Sequence, residues 1–425
     1  MSYAELTHAE LAALRESLEQ EYARHCAKEL ALNMARGKPA AAQLELSLPL
    51  LDTVDASSGL FAEDGTDCRN YGIMDGIPEA KRLMASIMDH DPRNVCVFGN
   101  SSLNIMYDLV SHGFLHGYLG EKPWRELKSV SWLCPVPGYD RHFAITELFG
   151  IKMIPVRMNE NGPDMDEIEA LVRENDAIKG IWCVPQYSNP GGVTYSNDTV
   201  ARLASMPCAA PDFRIFWDNA YCVHHLYDTR QVHVADIAEA CEKAGNPNRY
   251  FKFASTSKVT FPGAGIAAVA ASEENIAQIK KRVSIQTVGY DKINQLRHVR
   301  FLEDAQGISE HMKKHAEIIR PKFELVARML EEGLSDTGCA SWSNPDGGYF
   351  VSFDGLPNTA KRTVALAKGA GVIMTGAGAT WPYKEDPEDS NIRIAPTLPP
   401  LEELEQAMEV FVCCVKLAAV ESLLA

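Results

Sequence analysis

Phe253-Ala-Ser-Thr-Ser-Lys258 reads as a short buried strand running into a lysine. Upstream, Phe216-Trp-Asp218-Asn-Ala-Tyr221 is a second apolar strand that delivers an acid and, three residues later, a phenol. Ser188-Asn189-Pro-Gly-Gly192 is a turn at the end of a third. Each has a bland reading on its own. A lone Lys258 is a solvated strand end, Asp218 a helix cap, Asn189-Pro-Gly-Gly a turn, and Tyr221 core. Their order and spacing together point to one site. An amine, a carboxylate, a phenol and an amide at successive strand ends can hold a pyridine aldehyde. The lysine would take it as a Schiff base, the acid would face the ring nitrogen, and Tyr221 and Asn189 would face the ring oxygen.

The rest of the chain fits a strand-and-helix alternation. Candidate strands are Val95–Phe98, Ser129–Cys134, Lys152–Val156, Gly180–Val184, Ile215–Trp217, Tyr250–Ala254 and Gly265–Ala271. Most are continuous apolar runs, the pattern of a largely parallel sheet covered on both faces. Such a sheet offers ligands the carboxyl ends of its strands. Helical periodicity runs over Ala9–Leu32, with Leu11, Leu14, Leu18 and Tyr22 on one face. A long helix, His311–Glu332, then leads to strands at Tyr349–Val351 and Asn391–Ile394. The expected organisation is an N-terminal helix and loop (1–48) joining a small C-terminal domain (311–425), with a large domain (49–310) between them.

Further motifs extend the site reading. Leu32-Asn-Met-Ala-Arg-Gly37-Lys38-Pro39, Arg69-Asn-Tyr71-Gly, Gly99-Asn-Ser101-Ser102, Pro137-Gly-Tyr139, Asn344-Pro-Asp-Gly-Gly348-Tyr-Phe-Val and Asn391-Ile-Arg393-Ile occur in that order. With Lys258, Asp218 and Asn189 they resemble the aspartate aminotransferase-like superfamily, the fold-type I enzymes that use pyridoxal 5'-phosphate. The wording Asn-Met-Ala-Arg-Gly-Lys-Pro and Ser-Lys-Val-Thr-Phe-Pro-Gly-Ala-Gly is similar to a divergent bacterial aspartate aminotransferase subgroup, once described as alanine–glyoxylate aminotransferase-like.

The resemblance implies an α/β fold: a large domain with a mostly parallel central sheet and a smaller α+β C-terminal domain. It implies that Lys258 carries the cofactor and moves the substrate proton, that Asp218 keeps the ring nitrogen protonated, and that Tyr221 and Asn189 tune the imine. Tyr139 would stack on the ring. Ser101, Ser102, Ser255 and Ser257 would cradle the phosphate at a helix N-terminus, where the bland reading makes Ser101 a simple cap. Arg393 would grip the α-carboxylate with its fork; alone it would be a surface arginine on a strand edge. Gly37 and Lys38 would form the substrate loop. Tyr71 would reach the neighbouring subunit's phosphate in a homodimer with shared active sites. One departure stands out. The family's phosphate-binding arginine, eight residues past the lysine, falls at Ile266.

The expected reaction is transamination by a ping-pong Schiff-base mechanism, with L-aspartate and 2-oxoglutarate giving oxaloacetate and L-glutamate. The alternatives are an aminotransferase for aromatic or other amino acids, a lyase using the same cofactor, and an aminotransferase-like transcriptional regulator. A dicarboxylate needs a second cation. Lys38 and Lys292 are the favoured candidates among Arg36, Arg141, Gln286, Thr287 and Arg297. Composition bounds the partners. The 425 residues are 46% apolar with net charge −16, and their Lys and Arg are scattered, which argues against nucleic acid. No apolar run reaches membrane-span length, and the acidic N-terminus lacks an apolar signal core. Eleven cysteines without a Cys-x-x-Cys pair read as buried thiols of a reducing cytoplasm. No metal site is expected.

Overall fold

The computed structural model of the chain describes residues 2–425. Thirteen strands fall in three sheets among these residues. They are β1 (Leu32–Met34), β2 (Val95–Phe98), β3 (Ser131–Val136), β4 (Lys152–Asn159), β5 (Gly162–Pro163), β6 (Ile178–Cys183), β7 (Arg214–Asp218), β8 (Tyr250–Ser255), β9 (Ala267–Ala270), β10 (Ala340–Trp342), β11 (Val351–Gly355), β12 (Val372–Met374) and β13 (Asn391–Ile394).

The large sheet runs β2-β9-β8-β7-β6-β3-β4-β5. Strands β4, β3, β6, β7 and β8 pair in parallel. β9 is antiparallel to both β8 and β2, so β2 again points with the parallel set. Every residue of β2, β3, β6, β7 and β9 is buried. Alternate side chains feed opposite cores. Trp132, Trp182, Phe216 and Phe251 join one. Leu133, Ile181, Cys183, Ile215 and Trp217 join the other. Apolar burial on both faces explains why the runs are continuous rather than alternating. Burying an aromatic of this size contributes roughly 1.5–3 kcal/mol.

The C-terminal region is built on the three-stranded antiparallel sheet β10-β11-β13 and the parallel pair β1-β12. The first helix, His8–Cys26, starts with a Thr7/Glu10 capping box. Its Leu11 and Leu18 enter one core with Leu404, Met408 and Phe411 of the last helix, Leu401–Leu424. The N-terminal segment thus folds onto the chain's other end.

Several sequence expectations shift in detail. The N-terminal helix stops at Cys26, and Leu32 belongs to β1 instead. The long helix starts six residues early, at Ala305, capped by Asp304. The strand expected at Tyr349–Val351 begins at Val351 and runs to Gly355. Tyr349 and Phe350 lie in the loop before it, both buried in the core of the C-terminal region. Strands β1, β5, β10 and β12 are two or three residues long and carry too little pattern to be read. No helix among the described residues is long and apolar enough to cross a membrane.

Candidate active site

The carboxyl ends of the parallel strands converge on one cavity of ≈ 600 Å³. β7 ends on Asp218, and Tyr221 follows in the next turn. β8 ends on Ser255, and Lys258 lies three residues on. β2 leads through Ser101 into the helix Ser102–His116, and β3 through Tyr139 into the helix Asp140–Leu148. β13 brings Arg393 from the C-terminal sheet. Gly37, Lys38, Ser101, Ser102, Tyr139, Asn189, Asp218, Tyr221, Ser255, Ser257, Lys258 and Arg393 all line the cavity.

Asp218 is not a helix cap. Its Oδ2 lies 3.0 Å from Nε2 of His142, and both side chains are buried. His142 stacks on Trp182 at 4.6 Å and 15°. The other oxygen, Oδ1, is buried without a hydrogen-bond partner. A buried carboxylate oxygen left open is costly unless something meets it. It fits the N–H of a protonated pyridine ring, with Tyr139 on the same cavity wall.

Lys258 Nζ stands 4.9 Å from the Tyr221 ring centroid. Burial pushes its ammonium below the ordinary lysine range, and Asp218 opposes that shift. Burial likewise pushes the Tyr221 phenol well up, so it stays a neutral donor. An amine that loses its proton more readily is what a nucleophile and proton carrier needs.

Ser101 holds the N-cap position of its helix, yet its hydroxyl makes no capping bond. Together with the first N–H groups of the helix it is available to an anion. Ser255 Oγ donates to Ser257 Oγ at 3.0 Å, and Ser257 Oγ donates to the Asn100 carbonyl at 2.9 Å, which ties the two strand ends together. Ile266 is buried in the core beside Ala268, so no cation comes from that position.

Arg393 is buried. Its Nη1 donates to Asp140 Oδ1 at 2.9 Å and to Asn189 Oδ1 at 3.2 Å, while Nε has no partner. The free edge of the fork suits a carboxylate. Phe350 lies 4.9 Å from the guanidinium carbon. Gly37 covers that ring so closely that a Cβ there would meet Phe350 Cζ at 2.5 Å. Only glycine lets the loop approach this near.

The remaining candidates separate. Tyr71 is 83% exposed and does not line this cavity; it borders a hollow with Val288–Lys292. Lys292 is buried, its Nζ donates to the Gly72 carbonyl at 2.9 Å, and it borders the hollow beside Tyr71 rather than this cavity. Gln286 reaches Asp108. Neither Gln286, Thr287 nor Arg297 lines the cavity, whereas Arg36 and Arg141 do. Sequence reading missed His142, Asp140, Phe350 and Lys384. His142 carried a usable signal: it lies three residues past Tyr139 at the start of a helix, hence on the same face. Lys384 reaches the cavity through a long loop after β12 and had none.

The family model for aspartate amino-transferase matches residues 6–425. A protein of Mycolicibacterium smegmatis is 50% identical over 426 residues, spanning 100% of this chain and 99% of that one. An aspartate aminotransferase of Corynebacterium glutamicum is 46% identical over 407 residues, spanning 96% and 94%. A crystal structure of an aspartate transaminase from Corynebacterium glutamicum superposes with a TM-score of 0.97 at 44% identity, covering 100% and 99%. LysN, the α-aminoadipate aminotransferase of Thermus thermophilus, shares the fold at TM-score 0.72 and 20% identity. With the whole chain matched in sequence and in fold, it belongs to the aspartate amino-transferase family, the fold-type I aminotransferases that use pyridoxal phosphate.

Proposed function

We propose that this enzyme transfers the amino group between L-aspartate and 2-oxoglutarate, with pyridoxal 5'-phosphate held on Lys258. The observation that carries the reading is the pairing, in one cavity, of a desolvated Lys258 with the unpartnered Oδ1 of Asp218. When bound, the cofactor supplies an aldehyde carbon that captures an amine and a ring that draws electron density from the substrate Cα.

The chain's own residues do the rest. Asp218 holds a proton on the ring nitrogen, and His142 fixes the carboxylate through its other oxygen. Asn189 and Tyr221 donate toward the ring oxygen. Ser101, Ser102, Ser255 and Ser257 hold the phosphate. Arg393 takes the α-carboxylate on its free edge, and Lys258 Nζ carries the proton at Cα. Arg36, Lys38, Arg141 and Lys384 also line the cavity and make no ion pair among the described residues. That excess of positive charge, in a chain of net charge −16, supports a substrate with two carboxylates; Lys38 and its loop are our assignment for substrate contact.

We read 49–310 as the cofactor domain and 1–48 with 311–425 as the smaller domain. We also read the enzyme as cytoplasmic and as a homodimer; the exposed Tyr71, Ile285 and Val288 support the homodimer. A panel of amino and 2-oxo acids on purified protein tests the activity. Aspartate with 2-oxoglutarate should lead it; a lead for phenylalanine, tyrosine or alanine overturns the dicarboxylate reading.

A further inference from the structure

Lys258 rests against a second aromatic ring that none of these roles uses. Its Nζ is 5.9 Å from the ring centroid of Tyr349, which lies 6.0 Å from Tyr221 at an interplanar angle of 28°. The Tyr349 hydroxyl accepts a hydrogen bond from Gln43 Nε2 at 2.9 Å. Gln43 Oε1 takes the Ala40 N–H at 3.0 Å, which fixes the end of the amide that faces the ring. The same Nε2 donates to His315 Nδ1 at 3.0 Å. His315 Nε2 lies 3.1 Å from His311 Nε2, which in turn is 2.8 Å from the carbonyl oxygen of Val259. The chain of contacts therefore leaves Lys258 through an aromatic face and returns to the backbone one residue past it.

Gln43, Tyr349 and His315 are at most 1% exposed. With both ends of its amide engaged, Gln43 has no second orientation that keeps its bonds. It sits on the helix Ala41–Glu45, which Ala40 joins to Gly37-Lys38-Pro39. We propose that Gln43 is a positioning residue for Lys258: through the Tyr349 hydroxyl it fixes the aromatic face against which the amine rests, and it ties that face to the substrate loop. Aromatic faces attract an ammonium, so ring placement changes both where the amine lies and how readily it gives up its proton. The other groups facing Lys258 are Asp218, Tyr221 and His224, whose Nε2 lies 3.4 Å from the Lys258 carbonyl. The inference rests on Lys258 being the cofactor-bearing amine.

The test is a cycle of Gln43→Leu, Tyr349→Phe and the double variant in the cofactor-loaded enzyme. The readouts are kcat and KM for aspartate and the pH midpoint of the cofactor–lysine absorption band. Each single variant should lower kcat by at least about tenfold, the scale of one buried hydrogen bond, and move the midpoint in the same direction. Gln43→Leu also removes the bonds to Ala40 and His315, so its effect should be the larger. Tyr349→Phe added to it should change nothing further, because the bond they share is already gone. If Gln43→Leu fails to fold, Tyr349→Phe, which removes one atom, must still move the midpoint. A midpoint unmoved by Tyr349→Phe, or effects that add, overturns the inference. A label on another lysine after borohydride reduction of the wild type sinks the underlying reading instead.

Discussion

His142 Nε2 lies 3.0 Å from one oxygen of Asp218 and leaves the other oxygen bare. That division sets the electrostatics of the site. Asp218→Asn should keep the cofactor but lose at least about a hundredfold in kcat, the cost of removing one preorganised polar partner. His142→Asn should cost less, because it loosens the carboxylate without removing it. Turnover near wild type in Asp218→Asn would reduce that carboxylate to a structural role.

Gly37→Ala should damage substrate binding without touching a charged group. The added methyl would meet Phe350 at 2.5 Å, and Phe350 lies against Arg393. The expected result is a rise in KM for aspartate larger than the fall in kcat. Arg393→Lys should raise KM further, since a point charge cannot form a fork. Steady-state kinetics of the two variants decide it; an unchanged KM in Gly37→Ala would detach the loop from the carboxylate site.

Much of the large domain was legible because its strands are buried on both faces, and that leaves long apolar runs. Asn391–Ile394 matched its strand to the residue. Lys258, Asp218 and Asn189 could be read because each follows such a run. The rest was hidden for physical reasons. Gln43, Tyr349 and His315 meet across roughly 300 residues of sequence, and no local pattern announces such a contact. The bond from Lys292 to the Gly72 carbonyl was hidden too, because sequence shows a charge but not its burial.

Stability should fall in acid. Burial lowers the pKa of His315 to about 3 and that of His298 to about 4, and lowers His311 and His224 as well. The unfolded chain therefore binds protons that the folded chain refuses, so stability is full above the usual histidine pKa near 6.5 and is lost as pH drops toward 4. Thermal melts from pH 8 to pH 4 should show Tm falling below about pH 6.5, less steeply in His315→Gln. A flat Tm across that range would contradict neutral burial of these rings.

The active unit should be a dimer with sites completed across the interface. Mixing Lys258→Ala with a variant carrying Tyr71→Phe and a second lesion in the same shared segment should restore part of the activity. Tyr71 stands exposed beside Val288 rather than in its own cavity. A monomer fully active at every dilution would refute the shared site.

The central claim is that Lys258 bears the cofactor. The purified protein should be yellow, and borohydride should bleach the band and fix a pyridoxyl group to the chain. Peptide mapping by mass spectrometry should place that group on Lys258, and Lys258→Ala should take no label while keeping the wild-type fold. A pyridoxyl group mapped to any other lysine would contradict the account.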